Sequence, residues 1–209
     1  MEFKHANILP SKAPSPNPDG TFTLSTTAPT DIWRIPPTRD DFNAPIIYLS
    51  IPVSSFKSAR VTAQGAWKTQ YDQGGLVVVL PPKKGSAQKR WVKTGIEFYN
   101  GKPRMSAVAA TESADWSLLP LSAEDEAAGK MTVEIERDQE DGTWGNTLRI
   151  LYAAAGGEKI AIRELPWAFY DLDESEEMWV GMFAAKPTVD ENKELVVNFE
   201  GFAVEKRDG

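Results

Sequence analysis

Eleven short runs of β-forming residues follow one another along this chain, and turn-forming residues separate them. They fall at residues 21–25, 46–51, 59–66, 76–80, 91–99, 104–111, 131–137, 147–152, 159–165, 178–184 and 195–202. Pro81-Pro82, Asn100-Gly101, Asp141-Gly142 and Gly156-Gly157 stand between runs, pairs that supply the restricted or positive φ of tight turns. The only helix-compatible stretch, 122–130, is too short for more than a turn or two. Many short strands with frequent turns predict an all-β antiparallel sandwich. With 209 residues, the chain can bury a full core. The expected division is an extended, proline-rich segment at 1–20 and one domain at 21–209.

Composition removes several function classes. The net charge is −7 with both signs interspersed, so the broad basic field needed for nucleic-acid or anionic-membrane binding is missing. No apolar run approaches the ~20 residues of a membrane span. The N-terminus has no basic stretch leading into an apolar core, and a cytoplasmic protein is expected. There is no cysteine, which excludes disulfides, thiolate nucleophiles and thiolate metal sites. The single histidine, His5, sits in a terminus expected to be mobile, so a Ser-His-Asp triad or a two-histidine zinc site cannot be assembled. Any catalysis would rest on Asp, Glu, Lys, Tyr or Arg. No cofactor is expected, and no metal site: the acidic run at 171–177, five carboxylates in seven residues, reads as a solvated turn rather than a calcium loop.

One strand carries the functional signal. Side chains alternate faces with period 2, so Val92, Thr94, Ile96 and Phe98 point to a core while Trp91, Lys93 and Glu97 share the other face. A ring, a cation and a carboxylate on one sheet face suit a small polar ligand with apolar faces. Of the seven tryptophans most are expected to fill the core, with Trp91 the exception that stacks on ligand. Gly95 between the two charges would let a ligand approach the backbone. Tyr71 and Gln73 share a face and join the candidate groove, whereas Asp72 is expected to satisfy backbone groups at the rim. Asp115 and Trp116, in the cluster at 111–117, and Arg149 complete the ligand-binding candidates. Glu97 is the catalytic candidate, as an acid-base group. A Glu97–Asp115 pair for glycoside hydrolysis is disfavoured, because the closely spaced acidic motif of jelly-roll glucanases is missing.

Five segments in order, Asp31-Ile-Trp-Arg34, Tyr71-Asp-Gln-Gly-Gly-Leu76, Trp91-Val-Lys-Thr-Gly-Ile-Glu97, Ser113-Ala-Asp-Trp-Ser117 and Val180-Gly-Met-Phe-Ala-Ala-Lys-Pro187, resemble a domain-of-unknown-function family of YesU-like and fungal "regulation of enolase"-like proteins. The resemblance implies a concanavalin-A-like jelly roll of two curved sheets, with a concave face that lectins and glucanases use for ligands. The function expected is binding of a carbohydrate or similar small molecule on that face. The alternatives are a cofactor-free enzyme in the same groove (glycan-active, or an isomerase or cyclase) and a regulatory protein whose partner is a metabolic enzyme.

Overall fold

In the computed structural model, which describes residues 2–9, 11 and 13–207, nearly all regular structure is β. The ends of the expected divisions at residues 1, 208 and 209 lie outside the described residues. The strands are β1 (Lys4–Ala6), β2 (Phe22–Thr27), β3 (Ile32–Ile35), β4 (Arg39–Phe42), β5 (Ile46–Pro52), β6 (Phe56–Gly65), β7 (Gln73–Leu80), β8 (Arg90–Tyr99), β9 (Lys102–Ala110), β10 (Ala114–Pro120), β11 (Lys130–Glu140), β12 (Thr143–Ala153), β13 (Lys159–Leu165), β14 (Glu177–Ala185) and β15 (Glu194–Lys206). One sheet runs β13-β12-β11-β6-β15-β2 and the other β1-β5-β14-β7-β8-β9-β10. Every pairing is antiparallel. A short helix, α1 (Ala123–Ala128), has Ser122 as its N-cap and stops at Gly129, which takes the left-handed conformation that glycine adopts without strain.

The six-stranded sheet shows the expected pattern. In β2 and through most of β11 the residues alternate between the core and the outer face. The seven-stranded sheet does not alternate, because both of its faces are covered. In β7 all eight residues are buried. Leu76, Val78 and Leu80 belong to the core between the sheets, with Val61, Val133 and Ile135. Val77 and Val79 belong to a second apolar cluster on the outer face, with Tyr48, Trp91, Val108 and Phe183.

The hairpin β3–β4 covers that outer cluster, with Ile32 inserted into it. Arg34 pins the hairpin to the sheet. Its guanidinium is buried, donates to Asp40 and reaches the carbonyls of Lys89 and Thr111, each at 2.9 Å. The segment expected to be mobile contributes β1, whose His5 pairs with Ile47 at the sheet edge.

Gly95 corrects another expectation. It stands opposite Gly75, and the neighbouring strand takes the space that a ligand would have used. A Cβ at Gly95 would lie 2.2 Å from the Gly74 carbonyl oxygen, and the residue holds φ +154°. Gly95→Ala is expected to cost about 3 kcal/mol through backbone strain and overlap, lowering the melting temperature by about 6–12 °C at ~2–4 °C per kcal/mol. Gly85→Ala is the control, because its φ is also positive at +79° but nothing lies within 4 Å. Thermal unfolding followed by circular dichroism should rank the two losses in that order; equal losses would show that the Gly75–Gly95 approach is not under steric constraint.

Candidate functional site

Four separate segments meet on the outer face of the seven-stranded sheet. The hairpin segment brings Asp31, Trp33 and Arg39. The entry to β7 brings Tyr71 and Gln73. The strands β8, β9 and β10 bring Lys93 and Glu97, Val108, and Trp116 respectively, and Pro187 closes one side. Together they line a pocket of about 220 Å³. Register explains the convergence: Gln73 stands opposite Glu97, and Lys93 opposite Val108, which in turn pairs with Trp116.

Buried charges organise the floor. Lys93 is 2% exposed and donates to Asp31 Oδ1 at 3.1 Å. That oxygen also accepts from the Ile32 amide at 2.8 Å and from Gln73 Nε2 at 3.4 Å. Asp31 Oδ2 is held by Arg39 at 3.0 Å. The Lys93 ammonium lies about 6 Å from three ring centroids, at 5.9 Å from Trp33 and Trp91 and 6.0 Å from Phe183. Glu97 is 5% exposed, and its Oε2 accepts from the Ser106 hydroxyl at 2.6 Å and from Trp116 Nε1 at 3.0 Å. Its Oε1 makes no hydrogen bond among the described residues, on a side chain that lines the pocket.

Burial pushes the Glu97 carboxyl above its ordinary value of 4.5. Lys93, Ser106 and Trp116 pull it back, and the Asp31 charge adds to the rise.

A second buried pair holds the pocket wall. Lys186 is 0% exposed; its ammonium donates to Thr69 Oγ1 at 2.6 Å and Asp72 Oδ1 at 3.1 Å. Asp72 Oδ2 accepts from the amides of Lys68 and Thr69 at 3.2 and 2.9 Å, closing the turn before β7. That turn carries Tyr71 at φ +69°, a conformation costing a bulky residue about 1–3 kcal/mol. The Lys186 backbone is bonded in both directions to Thr30, the residue before Asp31, and Pro187 follows it. Lys186 thus ties together the segments that supply Asp31, Tyr71 and Pro187.

Of the residues singled out from sequence, Tyr71, Gln73, Lys93, Glu97 and Trp116 come together in the pocket. Trp91 does not. It shares their sheet face, but its indole is wholly buried in the outer cluster beneath the hairpin, so its stacking role is withdrawn. Asp115 has the wrong face. It pairs in register with Ala109 of the inner core, and at the sheet edge its carboxylate meets Arg163 of β13 instead. Arg149 lies on the six-stranded sheet, on the face opposite its core neighbours Leu148 and Ile150, and pairs with Glu164 at 3.1 Å. Asp72, expected to serve rim backbone groups, does so and is paired and buried as well. Sequence reasoning missed Asp31, Trp33 and Arg39 as pocket residues. The alternation of Asp31 and Trp33 against Ile32 and Arg34 was the available signal, on a strand too short to stand out.

The two packed antiparallel sheets make a jelly-roll sandwich of the concanavalin-A-like fold class, with the pocket on an outer face. Within that class, the chain belongs to the family described as "Protein of unknown function (DUF1349)", whose model matches residues 10–207. It is similar to Uncharacterized protein AN7484 of Emericella nidulans, with 40% identity over 206 residues, 99% of this chain and 96% of that one. It is also similar to Regulation of enolase protein 1 of Saccharomyces cerevisiae, at 33% identity over 101 residues, 47% of this chain and 46% of the yeast protein. Among solved structures, a functionally unknown protein from Saccharomyces cerevisiae superposes with TM-score 0.74 at 23% identity, covering 99% of this chain and 97% of that one. The GH43 protein BlXynB of Bacillus licheniformis gives 0.62 at 14% identity, over 90% of this chain and 33% of that one. Winged bean acidic lectin complexed with methyl-alpha-D-galactose gives 0.52 at 14% identity, over 99% and 94% of the two chains.

Two measurements test this account. Because the folded-state pKa of Glu97 is raised, the native protein binds the proton more tightly than the unfolded chain. Glu97 therefore contributes most at low pH, and that contribution is lost as pH climbs from 4.5 through the raised value. The stability difference between wild type and Glu97→Gln should move against wild type across that window in pH-dependent thermal unfolding; a pH-independent difference would contradict it. Lys186→Met strands the Asp72 carboxylate and should cost about 3–5 kcal/mol. Adding Asp72→Asn should recover a large part of the loss. Urea midpoints at constant m-value read both.

Proposed function

We propose that the pocket binds a single polyhydroxylated ring of the carbohydrate class. The observation that carries this reading is the pairing of a half-satisfied Glu97 carboxyl with aromatic walls. Oε2 is committed to Ser106 and Trp116, which leaves Oε1 for a ligand hydroxyl. Trp33 and Trp116, with ring centroids 6.5 Å apart at 90°, present apolar surface beside it. A sugar ring needs both, a hydrogen-bonding edge and an apolar face. The volume of about 220 Å³ is below the ~300 Å³ of a typical drug-sized site and fits one small ring. Lectins of the same fold lend support at the level of architecture alone.

Recognition is favoured over glycoside hydrolysis by the state of the second carboxylate. Hydrolysis asks for two working carboxylates, and Asp31 is saturated by Lys93, Arg39, Gln73 and the Ile32 amide. A second reading, regulation of a metabolic enzyme through a protein contact, is favoured by the name of the yeast relative. Its signature would be stable co-purification with that enzyme, unaffected by substitutions in the pocket.

The test is a thermal-shift and tryptophan-fluorescence screen with the methyl glycosides of glucose, galactose, mannose and xylose and their 1,4-linked dimers. A binder at ~100 times its dissociation constant adds roughly 2.7 kcal/mol, a rise of about 5–10 °C. Trp33→Ala should weaken binding about tenfold, as expected for loss of one stacking wall. Turnover that disappears in Glu97→Gln while binding persists would convert the site into an enzyme's; binding indifferent to Trp33 would remove it from this pocket.

A further inference from the structure

The pocket wall continues outward into aromatic surface that the pocket itself does not use. Tyr71 lines the pocket yet is 37% exposed. Tyr99, at the end of β8 and half-buried, has its ring centroid 6.0 Å from that of Tyr71 and tilted by 39°. Both rings rest on Trp116, Tyr71 at 6.3 Å and 68°, Tyr99 at 5.3 Å and 79°. The two edge-to-face contacts brace Trp116 while it donates to Glu97. Tyr99 follows Lys93 and Glu97 with the same period-2 alternation, which places it on the same outer face one step beyond the pocket.

Tyr71 is placed there against its own backbone preference. Its φ of +69° is maintained by the Tyr71 amide donating to the Phe98 carbonyl at 2.8 Å and the Asp72 amide donating to the Thr69 carbonyl at 2.8 Å. The buried Lys186–Asp72 pair stands behind that turn. A bulky residue held in a left-handed conformation by a buried ion pair marks a side chain whose position matters.

We propose that Tyr71 and Tyr99 form an outer stacking subsite, so that the pocket takes the terminal ring of a glycan and these two rings take the next one. The inference rests on the carbohydrate reading of the pocket and goes beyond it by naming the ligand as at least a disaccharide. A second pyranose leaving a one-ring pocket must pass its mouth, and Tyr71 stands at that mouth. The Tyr71–Tyr99 pair, tilted by 39°, offers it apolar ring surface. Stacking of this kind is tolerant of hydroxyl configuration, so the inner ring would set specificity and the outer one would add affinity.

The experiment compares each methyl glycoside with its 1,4-linked dimer by isothermal titration, on wild type, Tyr99→Leu and Tyr99→Phe. The dimer should bind wild type about 3- to 10-fold more tightly than the monomer, the range expected of one aromatic contact. Tyr99→Leu should erase that advantage, and Tyr99→Phe, which keeps the ring and the packing on Trp116, should retain it. A dimer no tighter than its monomer, or an advantage that survives Tyr99→Leu, overturns the subsite and leaves the pocket reading standing. Absence of binding by every monomer and dimer in wild type overturns the pocket reading and the subsite with it. Should Tyr99→Leu fail to fold, a dimer no tighter than its monomer on wild type or on Tyr99→Phe still overturns the subsite.

Discussion

A charge withdrawn from water must be met by another charge or by hydrogen bonds, and this requirement ties the outer face of the seven-stranded sheet together. Lys93 is buried and its charge is met by Asp31, which arrives on the β3–β4 hairpin. Leaving either partner alone in a buried site would cost several kcal/mol. The ion pair therefore does more than decorate the pocket: it closes the hairpin over the outer apolar cluster. That closure buries Trp91 and makes both faces of the sheet apolar. The Lys186–Asp72 pair applies the same requirement at the pocket's other wall. Glu97 meets it differently, through two neutral donors and a raised proton affinity rather than a dedicated cation. The one carboxyl in the pocket floor without an ion-pair partner is thus the one with an oxygen left for ligand.

What could be read from sequence follows from how far each signal travels along the chain. Period-2 alternation is local, and it placed Lys93 and Glu97 on one face and Val92 and Ile96 in the core. It also put Trp91 on the same face as the charges, which is correct. It could not show that residues 32–42 fold back over Trp91, because that contact joins segments about fifty positions apart. The misplacement of Arg149 has the same origin. Alternation assigns a residue to a face of its own sheet but does not say which sheet the strand joins. Asp115 failed on register at an edge: its parity points inward, and only the proximity of Arg163 on the other sheet draws its carboxylate aside. The turn at Tyr71 was invisible because a left-handed tyrosine violates local preference and is held by Lys186, far away in sequence.

The balance between recognition and turnover comes down to which groups in the pocket remain uncommitted. A catalytic acid-base site needs a group poised to exchange a proton and a second one to complement it. Glu97 is the candidate for the first role, since burial raises its carboxyl and one oxygen is open. Asp31 cannot satisfy the second while it neutralises Lys93 and Arg39 and holds the hairpin, since releasing it would unpin the wall that shapes the pocket. The same residues thus carry structure and site at once, and the structural duty takes up Asp31 in full. What remains available is a carboxyl oxygen and a set of aromatic faces running outward from Trp33 to Tyr99. On the proposed reading those groups would orient and stack a polyhydroxylated ligand, with affinity in the rings and selectivity in Glu97.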